Sequence, residues 1–131
     1  MKGKNLFICV DDEESVLISL KEQLRNSFGD SFAYETAESA DEVLEILEET
    51  ENPDETIVMI VSDWLMPGMK GDELMIKIND KYPKIKKIML TGQANPESLE
   101  CAKSEGKVDI IITKPWNKEN LVEAIKSLLK I

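Results

Sequence analysis

The sequence predicts an α/β protein, a three-layer α/β/α sandwich built on a five-stranded parallel sheet of doubly wound order 2-1-3-4-5. Short runs rich in Ile and Val alternate along its 131 residues with segments of helical period. The runs are continuously apolar, as strands covered on both faces are. No long linker or low-complexity stretch interrupts the alternation, so residues 1–131 are expected to form one domain joined by right-handed crossovers.

The first strand is expected over Asn5 to Val10, and the helix after it over Glu14 to Ser27, with Val16, Leu17, Leu20 and Leu24 on one face. Phe32 to Thr36 is a less apolar second strand, suited to a sheet edge. Ser39-Ala40-Asp41-Glu42 is a capping box that opens a second helix, carrying Val43, Leu44 and Leu47 and ending near Thr50, before Asn52-Pro53. The third strand is Thr56 to Ser62, and Pro67-Gly68 reverses the chain after it. A third helix runs from Gly71 to Lys81, with Leu74, Ile76 and Ile78 apolar, and Tyr82-Pro83 stops it. Lys87 to Thr91 is the fourth strand. Asn95-Pro96 supplies an N-cap and a first-turn proline to a short fourth helix that Gly106 closes. Val108 to Thr113 is the fifth strand, and Asn117 caps a last helix with Leu121, Ala124, Ile125 and Leu128 on its packing face.

Composition narrows the function. Hydrophobic residues make up 42% and charged residues 32%, which suits a folded globular chain rather than a disordered one. A net charge of −10 repels phosphate backbones and anionic lipid, so neither nucleic acid nor membrane is an expected partner of this domain. Only a few apolar residues separate Met1-Lys2-Gly3-Lys4 from Asp11, too short a run for a signal peptide or spanning helix, and a cytoplasmic location is expected. Cys9 and Cys101, the two cysteines, are then reduced thiols. Histidine is absent, which excludes it as nucleophile, base or ligand. The acids Glu45, Glu48, Glu49, Glu51, Asp54 and Glu55 are a solvated helix face and loop.

The chemistry gathers where the strands end. Strand one ends in Asp11-Asp12, strand three in Asp63, strand four in Thr91-Gly92 and strand five in Lys114-Pro115. Open α/β sheets bind ligands outside the carboxyl ends of their strands at the switch in strand order, which here falls between strands one and three. Three carboxylates meeting there repel one another unless a cation neutralises them. Magnesium, a hard ion that takes oxygen ligands, is the natural choice, with the backbone carbonyl of Leu65 as a further donor. Thr91 adds a hydroxyl donor and Lys114 a fixed positive charge, both suited to the equatorial oxygens of a transferring phosphoryl group. Trp64 and Trp116 flank the same site in sequence, with rim packing as their other reading; Met66 and Met69 read as packing residues.

These residues resemble the receiver domain of two-component response regulators, the flavodoxin-like fold of the chemotaxis regulator, over essentially the whole chain. The resemblance is carried by Asp11-Asp12, by Ser62-Asp63-Trp64-Leu65-Met66-Pro67-Gly68-Met69-Lys70-Gly71, by Leu90-Thr91-Gly92 and by Thr113-Lys114-Pro115, with separations of 52, 28 and 23 residues from Asp11 to Asp63, Thr91 and Lys114 in turn. It implies that Asp63 is the phosphoacceptor, taking a phosphoryl group from a phosphohistidine. It implies Asp12 as a direct Mg2+ ligand, Asp11 as one acting through water, Thr91 as the hydroxyl that moves toward the phosphoryl group, and Lys114 as the lysine that pairs with it. The implied activity is a phosphorylation switch with self-phosphorylation and autodephosphorylation chemistry, not turnover of a substrate. The implied partners are a sensor histidine kinase or phosphotransfer protein and an output domain or effector that reads the surface of helix four, strand five and helix five. A homodimer through that surface is allowed as well. Two positions depart from or tune the pattern: Ile111 stands where the family commonly has a Tyr or Phe switch residue, and Gln93, like Leu65, occupies a position that sets the lifetime of the phosphorylated state.

Two other classes use similar parts. A phosphatase of the haloacid dehalogenase type needs a second acid two residues after the first, and Leu65 is not one. A flavodoxin-like flavin carrier needs a Ser, Thr and Gly-rich loop after strand one, where Asp11-Asp12-Glu13-Glu14 repels phosphate.

Overall fold

The computed structural model describes residues 5–50, 57–63, 71–92, 100, 103–104, 107–113 and 116–130. Five strands, β1 (Asn5–Val10), β2 (Phe32–Ala37), β3 (Ile57–Asp63), β4 (Lys86–Thr91) and β5 (Ile110–Thr113), form one sheet in the order β2-β1-β3-β4-β5. Every pairing is parallel. The helices are α1 (Glu14–Phe28), α2 (Ala40–Glu49), α3 (Gly71–Lys81) and a last helix, Lys118–Leu129. Between β4 and β5, Glu100, Lys103 and Ser104 are helical; the cap Asn95-Pro96 and the stop at Gly106 lie outside the described residues.

Strand alternation divides the core in two. Leu6, Ile8 and Val10 of β1, Ile60 of β3 and Met89 of β4 pack with Val43 and Leu47 of α2 and with Leu74, Met75 and Ile78 of α3. Their neighbours Phe7, Cys9, Met59, Val61, Ile88 and Leu90 point the other way, onto Leu17, Leu20 and Leu24 of α1 and Leu121 and Ile125 of the last helix. A period of two therefore meets a helical layer on each side, which is why these strands carry no polar alternation. In α3 Met75, not Ile76, joins Leu74 and Ile78 in the core, because the three and four-residue steps between them keep one face.

Local chemistry sets the element ends. Gly29 caps α1 at φ 62, a left-handed conformation that glycine adopts without strain, and its N–H reaches the Arg25 carbonyl. Ser39 caps α2 by accepting from the Glu42 N–H at 3.2 Å, while Glu42 Oε2 accepts from the Glu38 N–H at 2.8 Å, one residue earlier than in the standard reciprocal box. Strand five begins at Ile110 rather than at Val108. Lys107 turns the chain at φ 53, and the Asp109 carboxylate accepts the Lys87 N–H at 2.8 Å, replacing a ladder carbonyl with a side chain. Glu45, Glu48 and Glu49 are exposed, as expected of a solvated face; Glu51, Asp54 and Glu55 lie outside the described residues. Among the described residues no helix is long and apolar enough to cross a membrane.

Candidate functional site

The sheet register brings the predicted groups together. Val10 pairs with Ser62, so Asp11 and Asp63 follow as neighbours on adjacent strands, about 4.8 Å apart in backbone. Asp63 pairs with Leu90, which puts Thr91 one step further out on the next strand. Thr91 pairs with Thr113, the residue before Lys114 in sequence. Consecutive strand ends thus climb like stairs around one rim of the sheet.

Each acid is held differently. Asp11, 2% exposed, continues the β1–β2 ladder through its N–H to the Ala37 carbonyl at 3.1 Å, and its Oδ1 accepts the Glu13 N–H at 2.9 Å. That bond turns the chain into α1, whose N-cap Glu13 uses no side chain of its own. Asp12 is exposed and points its carboxylate into the same space. Asp63 closes β3 at 7% exposure, behind Ser62, which is fully buried and donates its hydroxyl to the Asp63 carbonyl at 2.9 Å. Thr91 is buried at 5%. One carboxylate oxygen from each of Asp11, Asp12 and Asp63 lies within 4.8 Å of the others.

That spacing fits a hard cation. Magnesium binds oxygen at about 2.0–2.1 Å, so two oxygens on one ion lie at most about 4.2 Å apart, and a group acting through water lies further. Asp11, Asp12 and Asp63 satisfy these limits as a mixed set of direct and water-mediated donors. Leu65 and Lys114 lie outside the described residues, as do Trp64, Met66, Met69 and Gln93. Ile111 is half-buried against the α2 and α3 side of the core and pairs with Met89. Cys9, two residues before Asp11, is a free thiol that burial pushes up to about 12; Cys101 is outside the described residues.

Two features escape a reading of the sequence. Lys87 is only 1% exposed, with its Nζ donating to the Ile85 carbonyl at 2.9 Å. An adjacent lysine pair reads as the solvated entry to a strand, yet a sheet covered on both faces buries one of the two. Trp116 also donates its indole N–H to Gln23 Oε1 at 2.9 Å, across 93 residues of sequence, a separation at which no periodicity signals contact.

A doubly wound parallel sheet with three acids converging at its switch point defines an α/β domain with a metal-competent acidic site. The chain belongs to the response regulator receiver domain family, whose model matches residues 7–126. It is a receiver domain of two-component systems. It is 34% identical over 118 residues to the transcriptional regulatory protein FixJ of Rhizobium meliloti, covering 89% of this chain and 53% of FixJ. It is 25% identical over 130 residues to the hydrogenase transcriptional regulatory protein HoxA of Cupriavidus necator, covering 99% of this chain. The chain spans about a quarter of the length of the hydrogenase regulators it matches. Among solved structures it resembles a CheY-like response regulator receiver domain protein from Methanospirillum hungatei, with a TM-score of 0.85 and 30% identity over 98% of this chain and 95% of that one.

Proposed function

We propose that the domain accepts a phosphoryl group on Asp63 from a phosphohistidine of a sensor histidine kinase or phosphotransfer protein, and that phosphorylation alters the surface read by an output domain or effector. The observation that carries this reading is the convergence of three carboxylates within 4.8 Å at the carboxyl end of the middle strand, in a chain of the receiver family.

In the step proposed, a carboxylate oxygen of Asp63 attacks phosphorus, the phosphorus–nitrogen bond breaks, and the imidazole leaves with the bonding electrons and takes up a proton. An acyl phosphate remains on Asp63. Asp12 and Asp63 would serve as direct ligands to Mg2+ and Asp11 as one acting through water, with the Leu65 carbonyl as a further donor. Bound magnesium supplies positive charge against the phosphoryl oxygens and the clustered acids. Thr91 donates its hydroxyl to one phosphoryl oxygen, and Lys114 pairs with another. The low exposure of Asp11, Asp63 and Thr91 supports the reading, because charge interactions are screened little where water is sparse. The added phosphate carries nearly two negative charges and draws the loop after β4 inward. That movement changes the face built from the segment after β4, strand β5 and the last helix, through which the activated domain meets its effector or a second copy.

The test is labelling with a small phosphodonor such as phosphoramidate in the presence of magnesium. Wild-type protein is expected to gain one acid-stable, base-labile phosphoryl group and Asp63→Asn none. Undiminished labelling of the variant would refute the assignment.

A further inference from the structure

Ser62 places a hydroxyl inside a strand that is otherwise apolar up to that point. Met59, Ile60, Val61 and Ser62 are all fully buried, and by strand alternation Ser62 faces, with Ile60, the layer of α2 and α3. Serine seldom lies wholly inside a protein, because a hydroxyl taken from water into apolar surroundings is costly unless it finds a partner. Here it donates at 2.9 Å to the carbonyl of the next residue, Asp63, and the bond is itself buried. An aliphatic side chain would avoid the cost altogether, so a hydroxyl at this point of the strand is explained by the group it holds.

Asp63 stands where the ladder thins. Ser62 is paired on both sides, with Val10 of β1 and Met89 of β4. Among the described residues the β1–β3 pairing stops there, while Asp63 goes on to pair with Leu90 of β4. Turning about the N–Cα bond of Asp63 swings its carbonyl and its carboxylate together, so holding the one holds the other. A turn of about 20° moves the carboxylate oxygens about 1 Å, and misplacement on that scale slows a positioned reaction by up to about a hundredfold. The Ser62 hydroxyl restrains this turn at the residue where the acids of β1 and β3 converge within 4.8 Å.

We infer that Ser62 is a positioning residue for Asp63, its hydroxyl fixing the last carbonyl of β3 and with it the aim of the acceptor carboxylate. This rests on the phosphoacceptor reading above. Three variants separate aim from packing. Ser62→Ala removes the hydroxyl, Ser62→Cys fills the site but offers only a weak donor, and Ser62→Thr keeps a hydroxyl. Initial rates of labelling by phosphoramidate are measured on the full chain at saturating magnesium, well below the melting temperature of each variant. Ser62→Ala and Ser62→Cys are expected to label about three- to tenfold more slowly than wild type, the scale of one hydrogen bond, and Ser62→Thr within about twofold of it. A role in packing alone predicts instead that Ser62→Cys, which leaves no cavity, labels as fast as wild type. Ser62→Ala or Ser62→Cys labelling at the wild-type rate, or a folded Ser62→Thr labelling no faster than Ser62→Ala, would overturn the inference; if the added methyl of Ser62→Thr prevents folding, the rates of Ser62→Ala and Ser62→Cys decide it. Wild-type protein that takes up no phosphoryl group would overturn the phosphoacceptor reading and this one with it, whereas a labelled wild type matched by its Ser62 variants removes this one alone.

Discussion

Cys9 offers a test of how dry the floor beneath the acid cluster is. It lies in the middle of the sheet at 0% exposure, among Phe7, Met59, Val61 and Leu20. Burial raises its thiol from an ordinary 9.0 to about 12, against a smaller opposing pull from Lys21. A raised folded-state value means that the unfolded thiol ionises first, so this group's contribution to stability is intact below pH 9 and is lost as pH climbs toward 12. Between pH 8 and pH 10 the unfolded thiol gains almost all of its ionisation advantage for that interval while the folded one stays protonated, a loss of about 1.4 kcal/mol. Other groups titrate in the same range, and Tyr34 is also raised by burial. Comparison with Cys9→Ala cancels them. Urea unfolding followed by circular dichroism at pH 8 and pH 10 should show wild type losing about 1.4 kcal/mol more than the variant over the interval. The variant itself should be somewhat less stable at pH 8, because it leaves a small cavity. If the two proteins lose stability in parallel, the thiol is ionising in the folded state and the strand is wetter than its burial implies.

Two further outcomes follow from burial and charge. Asp12→Ala is expected to weaken magnesium binding roughly tenfold or more, the scale seen when a group supporting a metal site is lost, with little effect on stability since the side chain is exposed; calorimetric titration that gives an unchanged midpoint would contradict its place in the donor set. Leu20→Ala removes a fully buried side chain from the α1 seam and is expected to cost about 3 kcal/mol, lowering the melting temperature by about 10 °C for a chain of this length. A shift under about 3 °C would mean that α1 repacks freely onto the sheet.

Much of this molecule was legible in its residues because period and punctuation agreed. Continuous apolar runs marked β1, β3 and β4, Ser39 and Asn117 capped their helices as expected, and Asp11, Asp12 and Asp63 came together because parallel strands of similar length end on one side. The start of β5 was misplaced at Val108 because hydropathy does not register a backbone turn: Lys107 adopts a positive φ and Asp109 uses its carboxylate in place of a carbonyl. The burial of Lys87 and the reach of Trp116 to Gln23 depend on which layer covers each position, information that no local window contains.

The brevity of β5 has a consequence of its own. It forms one margin of the sheet, and an unpaired margin invites a foreign strand to add on and propagate. Among the described residues, Ile110–Thr113 run as regular strand there, and just before them the Lys107 bend and the Asp109 carboxylate take the backbone out of the regular ladder. The three isoleucines therefore present only a short template on that side of the sheet for a foreign strand to pair with.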